Sequence, residues 1–380
     1  MRIAMLHWAF PPVVGGVETH LEELGAALVR RGHKVMVLVG EEAAGQRSHR
    51  GIAVQGDPLM QPRSDPDPRR LYDLLSRFAD RQRPDVLHAH NMHYFSPRHA
   101  EALWRLKTVQ GLPLVLTAHN AWHDRLGQEM LRYRELWDRV IAVSSYLAAT
   151  LAAQGYPPGR IEVVHHGIDP ERWASAPPLE SLPPTVFHPA RLSLDKGSLI
   201  LVRALHRIRR QLPQARLLLA GTGTIVDFAS RQAREVAMVR REIRRLGLEG
   251  AVTLEAIPWD EMPAAFGRAH VVTYPSRFDE PFGIAALEGM ASARPVVVTR
   301  VGGMPEFVRD GVDGFVVAPG DERELSESLL YLLSHPVLAR RMGAAARERA
   351  MRRFHLREML ERTLAVYEQA LTPRRLPLQV

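Results

Sequence analysis

The chain has 380 residues, a formal net charge of +8 and no cysteine. A single hydrophobic core seldom grows beyond roughly 250–300 residues, so this length predicts two domains. The lack of cysteine excludes disulfides, thiolate metal sites and cysteine catalysis. With 46% hydrophobic and 24% charged residues the composition is that of a globular protein, and no apolar run approaches the ~20 residues that cross a bilayer.

The positive charge comes almost entirely from arginine, because Lys34, Lys107 and Lys196 are the only lysines. This balance favours anionic partners. Nucleic acid is not expected, since no nucleic-acid-binding module is recognisable. We expect a cytoplasmic location, with peripheral contact at the inner face of an anionic membrane as a further hypothesis. The candidate contact surface is Arg203–Arg210 with Arg231, Arg234, Arg240, Arg241, Arg244 and Arg245.

Short apolar runs alternate with helical patterns through the first half of the chain. Residues 2–7 form the first run, a Gly-Gly turn follows, and Val17, Leu21, Leu24 and Leu28 recur at helical spacing. This alternation predicts a parallel sheet with helices on both faces. The other predicted strands are Lys34–Val39, Asp85–Ala89, Leu114–Ala118, Val140–Val143 and Ile161–Val164.

The alternation restarts after a Pro-rich stretch at 174–184, the candidate linker. The chain is therefore predicted to contain a first domain over 1–178, a second over 184–355 and a helical tail over 356–380 that crosses back to the first domain. Ligands of such sheets bind at the carboxyl ends of the strands. The predicted strands of the second domain are Thr185–Pro189, Arg216–Ala220, Val252–Glu255, Val271–Tyr274, Pro295–Thr299 and Gly314–Val317.

Two glutamates, Glu280 and Glu288, follow the strand Val271–Tyr274. Asp279 or Glu280 is expected to cap a helix whose first residue is Pro281. The two carboxylates would then bind hydroxyls on two parts of one elongated ligand. Three amides at the helix end would form an anion site: those of Phe282, Gly283 and Ile284.

Arg191 and Lys196 flank the loop that follows the first strand of the second domain and opens a helix. Two cations together with helix amides can neutralise a diphosphate without a metal. The alternative is that both are ordinary surface charges.

Glycine turns follow three strands. Gly15 and Gly16 allow a phosphate or sugar to approach the backbone closely, but their spacing matches neither the dinucleotide fingerprint nor a P-loop. Gly221-Thr222-Gly223 and Val301–Glu306 are similar turns, for which ligand contact and a purely structural role both stay open.

Histidines follow two strands of the first domain. A His-x-His pair such as His88 and His90 can bind a metal, but no carboxylate or cysteine accompanies it, so no metal site is expected. These two are interpreted as hydrogen-bonded structural residues. His119 stands at the carboxyl end of a strand and is expected to contact substrate, whereas His93 and His123 receive no assignment.

Taken together, these motifs resemble family 4 of the retaining glycosyltransferases, over a stretch from Met1 to about Tyr367. The family implies the GT-B fold, with two Rossmann-like domains facing across a cleft, a nucleotide-diphosphate sugar as donor, no metal and retention of anomeric configuration. Same-face attack assisted by the leaving phosphate is favoured over a covalent glutamate adduct. The matching segments are Gly15–Glu18, Asp85–His90, Val163–Asp169, Glu280–Glu288 and Val301–Glu306.

The resemblance also implies roles for individual residues. Glu280 would bind the hydroxyls of the donor sugar, and Glu288 the ribose. Arg191 and Lys196 would hold the diphosphate. Gly15 and Gly16 would lie against the phosphates of the donor or against the acceptor, and His119 near the transferred sugar. The amides near Phe282, Gly283 and Ile284 would support the sugar and the phosphate.

The chain departs from the family pattern at two places. His166 stands where Asn commonly precedes Gly-Ile-Asp, and Thr224 stands where Pro commonly follows Gly-x-Gly. The function predicted is transfer of a hexose-type sugar to an acceptor hydroxyl of a glycan, lipid or small molecule. The alternatives are a sugar-nucleotide epimerase or a phosphorylase of the same two-domain plan, and a non-catalytic protein that binds nucleotide sugars.

Overall fold

The computed structural model describes residues 1–13, 15–40, 45–62, 66–169, 171–173, 183–220 and 229–372, and for residues 229–232 it describes the backbone alone. The chain divides into two compact units: Met1–Gly167 together with Leu356–Val380, and Ile168–His355. The candidate linker at 174–184 lies, apart from its last two residues, outside the described residues, and so does the turn at 221–224.

The first unit contains an eight-stranded sheet in the order β3-β4-β2-β1-β5-β6-β7-β8. All neighbouring strands are parallel except β3 and β4, which form an antiparallel pair. The strands are β1 (Arg2–Leu6), β2 (Lys34–Val39), β3 (Gly45–His49), β4 (Ile52–Gly56), β5 (Val86–His90), β6 (Leu114–Ala118), β7 (Arg139–Ala142) and β8 (Ile161–Val163).

The second helix of this unit, α2, begins at a standard N-terminal cap. The side chain of Asp67 accepts from the amides of Arg69 and Arg70 at 2.8 and 3.0 Å, and Pro68 occupies the first turn. Leu21, Leu24 and Leu28 of the first helix are fully buried. The helices are α1 (Gly16–Arg30), α2 (Pro68–Gln82), α3 (Pro97–Gln110), α4 (Arg125–Met130) and α5 (Ser145–Ala153).

The second unit contains a six-stranded parallel sheet in the order β11-β10-β9-β12-β13-β14. Its strands are β9 (Thr185–His188), β10 (Arg216–Ala220), β11 (Val252–Glu255), β12 (Val271–Tyr274), β13 (Val296–Thr299) and β14 (Gly314–Val317). Its helices are α6 (Ser198–Arg209), α7 (Ala229–Arg245), α8 (Met262–Gly267), α9 (Ile284–Ala291), α10 (Met304–Phe307), α11 (Glu322–Ser334) and α12 (Pro336–Arg353).

The last described helix, α13 (Leu356–Leu371), belongs to the first unit. Its Met359 and Tyr367 join the same core cluster as Leu21 and Leu24 of α1. The phenol of Tyr367 also lies 2.7 Å from Nδ1 of His88. The helix therefore completes one face of the first sheet.

Both sheets reverse the direction of strand order at their first strand. In the second sheet this switch point lies between β9 and β12, and in the first between β1 and β5. Loops leaving the carboxyl ends of two such strands diverge and leave a crevice, which is where ligands bind in open α/β sheets. The expectation of two parallel α/β units is confirmed, and each sheet has a switch point of the kind at which ligands bind in open α/β sheets.

Candidate active site

The loop after β9 is held in a fixed turn by two serines. The amides of Asp195 and Ser198 donate to the hydroxyl and the carbonyl of Ser193 at 3.1 and 3.2 Å. Gly197 has φ +80°, and a Cβ there would collide with the carbonyl of Pro275, so the loop requires glycine at this position. Lys196 is thereby fixed beside the residues that follow β12.

The segment after β12 is tied to that loop by Ser276, which is fully buried. Its hydroxyl donates to Oε1 of Glu280 at 2.9 Å, and its carbonyl accepts from the hydroxyl of Thr299 at 2.5 Å. The amide of Arg277 donates to the carbonyl of Asp195 at 2.8 Å. The two loops at the switch point therefore form one connected structure.

Lys196 and Glu280 form an ion pair within this structure. The ammonium also lies 5.4 and 5.5 Å from the ring centroids of Tyr274 and Phe278. Burial opposes the charge of Lys196, but Tyr274 and Glu280 outweigh it and raise the pKa of the lysine above its ordinary value. Lys196 is therefore a permanent cation at neutral pH.

Arg191, on the same loop, supplies a second cation. It forms no ion pair with any residue in the described part of the chain. Burial, helped by Glu280, raises the pKa of the Tyr274 phenol, while Lys196 and Arg191 both oppose that shift, which places Arg191 beside the same ring. The carboxylate of Glu280 neutralises the charge of Lys196. The guanidinium of Arg191 has no such partner among the described residues, so it gives the site a net positive charge.

Helix α9 begins three residues later than expected. Its first residue is Ile284, and its N-cap is Gly283 with φ +93°, so the prediction of Pro281 as first residue, capped by Asp279 or Glu280, is wrong. The physical reason is that Phe282 turns inward, and its ring packs 5.2 Å from that of Phe307.

The left-handed turn at Gly283 follows from this inward rotation. The φ of +93° at position 283 favours glycine, and a Cβ there would also press on Sδ of Met304 at 2.6 Å. The amides of Gly283 and Ile284 lie at the start of the helix, where the first amides have no intrahelical partners. Phe282 contributes its ring to the core rather than extending the helix end.

Glu288 is buried on α9, against two residues that the sequence did not single out. The indole of Trp259 hydrogen-bonds to its carboxyl group, and Arg172 lies near. The Arg172 guanidinium stacks 3.2 Å from the Trp259 ring centroid and donates to its carbonyl at 3.0 Å. Burial raises the pKa of Glu288 to about 8, although Arg172 and Trp259 both act to lower it. At pH 7 this group is therefore mainly a neutral acid.

The turn at Val301–Glu306 holds the backbone of Glu280 in place. The amide of Gly303 donates to the carbonyl of Glu280 at 2.8 Å, and a Cβ on Gly302 would collide with that same carbonyl. The amides of Met304 and Glu306 bond within the turn. Of the two interpretations left open by the sequence, these contacts favour the structural one.

In the first unit, Gly15 and Gly16 lie between β1 and α1, with Gly15 as the N-cap. A Cβ on Gly15 would collide with the carboxylate of Glu18, whose Oε1 lies 3.3 Å from Nε2 of His7. A carboxylate therefore already occupies the vicinity of the helix end where the sequence predicted a phosphate or acceptor.

His119 follows β6 directly, and its amide donates to Oδ1 of Asn91 at 2.8 Å. Its Nε2 lies 3.2 Å from Nδ1 of His90. Burial, together with His20 and His166, lowers the pKa of His119 well below its ordinary value, so the ring is neutral. His88, in contrast, has both ring nitrogens bonded, to Tyr367 and Thr117 at 2.7 Å each, as a structural residue should.

Several residues of the site were missed from the sequence. Ser276 and Trp259 follow strands β12 and β11. Their position after the carboxyl ends of strands could have identified them as candidate site residues. Tyr274 is the last residue of β12, and in the sequence it cannot be distinguished from an ordinary buried strand residue. Arg172 and His20 carried no local signal, because their partners lie far along the chain.

Solved structures share this arrangement of two parallel-sheet units. A glycosyltransferase from Rickettsia africae ESF-5 matches with a TM-score of 0.80 at 21% identity, over 98% of this chain and 100% of that one. Anabaena Alr3699/HepE, solved in complex with UDP and glucose, matches with a TM-score of 0.80 at 22% identity, over 97% and 99% of the two chains. The fold class is GT-B.

Sequence comparison identifies the family. Residues 14–172 match the model of Glycosyltransferase Family 4, and residues 170–349 match that of Glycosyl transferases group 1. A glycogen synthase of Mycobacterium tuberculosis is 30% identical over 99% of this chain and 97% of its own length. An alpha-maltose-1-phosphate synthase of Mycolicibacterium smegmatis is 28% identical over 97% and 99%. The chain belongs to glycosyltransferase family 4 and is a glycosyltransferase.

Proposed function

We propose that this glycosyltransferase moves a hexose-type sugar from a nucleotide-diphosphate sugar to an acceptor hydroxyl, with retention of configuration and without a metal. The observation that carries the proposal is the group at the switch point of the second sheet, where Arg191, Lys196 and Glu280 meet the first turn of α9. The Anabaena protein of the same fold was solved with UDP and glucose, which supports a nucleotide-sugar donor.

The leaving diphosphate gains negative charge as its bond to the sugar breaks. Fixed positive groups stabilise that charge best, because they need not reorganise during the reaction. Arg191 has a charge that no described carboxylate balances, and Lys196 is held by its loop. The amides of Gly283 and Ile284 add the positive end of a helix. These groups supply what a metal would otherwise provide.

Retention is proposed to proceed by attack on the same face, assisted by the leaving phosphate. The alternative requires Glu280 to act as a nucleophile. Its Oε1 already accepts from the ammonium of Lys196 and the hydroxyl of Ser276, and both contacts reduce the nucleophilicity of the carboxylate. Glu280 is better suited to bind hydroxyls of the sugar, as the family resemblance implies.

Glu288 is proposed to bind the ribose. As a mainly neutral acid at pH 7 it both donates and accepts a hydrogen bond, which suits a pair of vicinal hydroxyls. Trp259 and Arg172 hold its position.

His119 of the first unit is proposed to contact the transferred sugar, as a neutral hydrogen-bonding group. The carboxylate of Glu18 beside Gly15 disfavours a phosphate at that helix end, so for Gly15 and Gly16 we favour contact with acceptor or sugar hydroxyls.

The test is a thermal-shift screen of nucleotide sugars, followed by measurement of donor hydrolysis without acceptor. We expect one nucleotide-diphosphate sugar to raise the melting temperature and to be hydrolysed slowly in the presence of EDTA. A protein that only binds nucleotide sugars would show the shift without hydrolysis. An epimerase would return an isomerised nucleotide sugar instead of free diphosphate.

Contact with an anionic membrane is a separate part of the proposal. Glu242 of α7 forms ion pairs with Arg203 and Arg245 at 2.7 and 2.8 Å, and most arginines of this surface, including these two, are exposed. No helix in the described ranges combines the length and apolar character that a bilayer crossing requires. The side chain of Arg231 lies outside the described residues. The exposed arginines of this candidate contact surface are Arg203, Arg207, Arg210, Arg234, Arg240, Arg241, Arg244 and Arg245.

Liposome flotation tests this contact. The wild-type protein should float with anionic vesicles at low salt and less at high salt, because the attraction is electrostatic. A triple variant, Arg240→Gln, Arg241→Gln and Arg244→Gln, should lose most of the binding. The matched control changes three arginines of α12 to Gln: Arg340, Arg341 and Arg352. Equal flotation of both variants would contradict the assignment of this face.

A further inference from the structure

Four buried histidines from separate segments of the first unit meet beside its sheet. His20 comes from α1, His90 ends β5, His119 follows β6 and His166 follows β8. The ring centroids of His20, His90 and His119 lie 4.9, 5.5 and 5.5 Å apart. One ring nitrogen of each lies within 4.8 Å of those of the other two.

This spacing suits a metal ion. Imidazole nitrogens bind Zn²⁺ at about 2.0–2.1 Å, so tetrahedral ligands lie roughly 3.3 Å apart and their ring centroids about 5 Å apart. Nδ1 of His90 and Nε2 of His119 are 3.2 Å apart. This distance fits a hydrogen bond and equally fits two ligands of one ion.

A second, independent observation also points to a ligand. In the described part of the chain, Nε2 of His20 is a buried polar atom without a hydrogen-bond partner. Buried polar atoms are nearly always satisfied, so each such atom needs an explanation. The other nitrogen of the His20 ring, Nδ1, lies 3.0 Å from Nδ1 of His166. That contact fixes the orientation of the His20 ring and leaves its Nε2 for a ligand, as second partners do at zinc sites.

We propose that His20, His90 and His119 form a binding site for a divalent transition metal such as Zn²⁺, with His166 as the residue that orients His20. Three protein nitrogens leave the fourth tetrahedral position for water or another ligand. The set is all imidazole, which favours zinc, cobalt, nickel or copper over magnesium and calcium.

The orienting residue lies where the chain departs from its family. The family resemblance implies Asn at position 166, and this chain has His there. The additional imidazole stacks on His119 with centroids 5.3 Å apart and bonds to His20. The site is therefore inferred as a property of this chain.

Metal binding has a consequence that rests on the proposed function. His119 cannot bind a metal and donate to the sugar with the same nitrogen. Zn²⁺ at this site should therefore inhibit transfer, while the group around Lys196 and Glu280 in the second unit keeps its affinity for a nucleoside diphosphate.

The first experiment adds Co²⁺ alone to the wild-type protein. We expect one equivalent to produce the visible absorption bands of tetrahedral nitrogen ligation, and one equivalent of Zn²⁺ to remove them. The absence of these bands at saturating cobalt would overturn the proposal, and this result does not depend on any variant being folded.

The second experiment repeats the titration on three variants. His20→Asn should abolish the bands, and His166→Asn should weaken binding by about 10–100-fold, the usual effect of losing an orienting partner. The matched control is His99→Asn, which removes a buried histidine bonded to Ser96 and Leu59 and should bind as the wild type does. Equal binding by all three variants would assign the metal to surface histidines and overturn the site.

Zinc inhibition is then measured as a separate readout. If Zn²⁺ binds but transfer is unaffected, the metal site stands and the role of His119 in the proposed function fails. If no metal binds, the proposed function is untouched.

Discussion

The ammonium group of Lys196 pairs with the carboxylate of Glu280, and this pair joins the loops that follow the first and fourth strands of the second sheet. The family resemblance implied diphosphate contact for the lysine and sugar contact for the glutamate. Their ion pair couples these two proposed roles, because each group fixes the position of the other and offsets its charge.

Lys196→Ala should reduce kcat by about 10²–10³, the usual effect of losing a preorganised electrostatic contact. Its charge matters most in the transition state, when the diphosphate departs. Steady-state kinetics with saturating acceptor would show the loss. The matched control is Lys107→Ala, which removes a partly buried lysine that pairs with Asp138 at 2.9 Å in the first unit. A variant with wild-type kcat and only a raised donor KM would show that Lys196 is a docking charge.

Glu288→Ala should mainly raise the donor KM. The ribose that Glu288 is proposed to bind does not change during the reaction, so this contact should contribute equally in the ground and transition states. The comparison is kcat and KM for donor in the wild type and the variant. A large fall in kcat at saturating donor would instead place Glu288 near the reacting bond.

Glu288 should also make stability depend on pH. Burial raises its pKa in the folded protein from 4.5 to about 8, so between these values the folded state holds a proton that the unfolded state has lost. The stabilising contribution is complete below pH 4.5 and is lost as the pH rises through 8, at up to about 1.4 kcal/mol per pH unit. Urea unfolding of the wild type and Glu288→Gln should diverge in this window, with the wild type losing stability relative to the variant. Parallel pH profiles would refute the shift.

His119→Ala should lower turnover strongly and leave the affinity for nucleoside diphosphate nearly unchanged, because the proposed diphosphate contacts, Arg191 and Lys196, belong to the second unit. The control is His123→Ala, an exposed histidine four residues further along. Product formation and calorimetric binding of the diphosphate give the two readouts. Unchanged turnover would make His119 a structural residue.

Activity should survive excess EDTA, because Arg191, Lys196 and the first turn of α9 are proposed to stabilise the leaving group. Protein purified with zinc at the three-histidine site should become more active on chelation. Loss of activity that Mg²⁺ or Mn²⁺ restores would contradict the metal-free proposal.

Much of the fold follows from local patterns. Leu114–Ala118 and Val271–Tyr274 are confirmed to the residue, because strands buried on both faces form continuous apolar runs with clear ends. The hairpin of β3 and β4 was missed, since Gly45–His49 is a polar, largely exposed edge strand without such a run.

Local sequence patterns predict less of the candidate site than of the fold. The start of α9 was misplaced because Pro281 fits a first helical position, whereas packing of Phe282 against Phe307 decides where the helix begins. The contact between His20 and His166 joins positions 146 residues apart, and nothing in either segment indicates it.

The return of α13 to the first unit makes the second unit an insertion within the first. The chain crosses between units twice, at Gly167 and at His355. A fragment that stops at Gly167 would lack Tyr367, the partner of His88, and would uncover the apolar face of α1. The second unit, in contrast, is one continuous segment. Recombinant dissection of the enzyme is therefore asymmetric. The second unit can be excised in one piece, whereas the first must be rebuilt by rejoining its two segments.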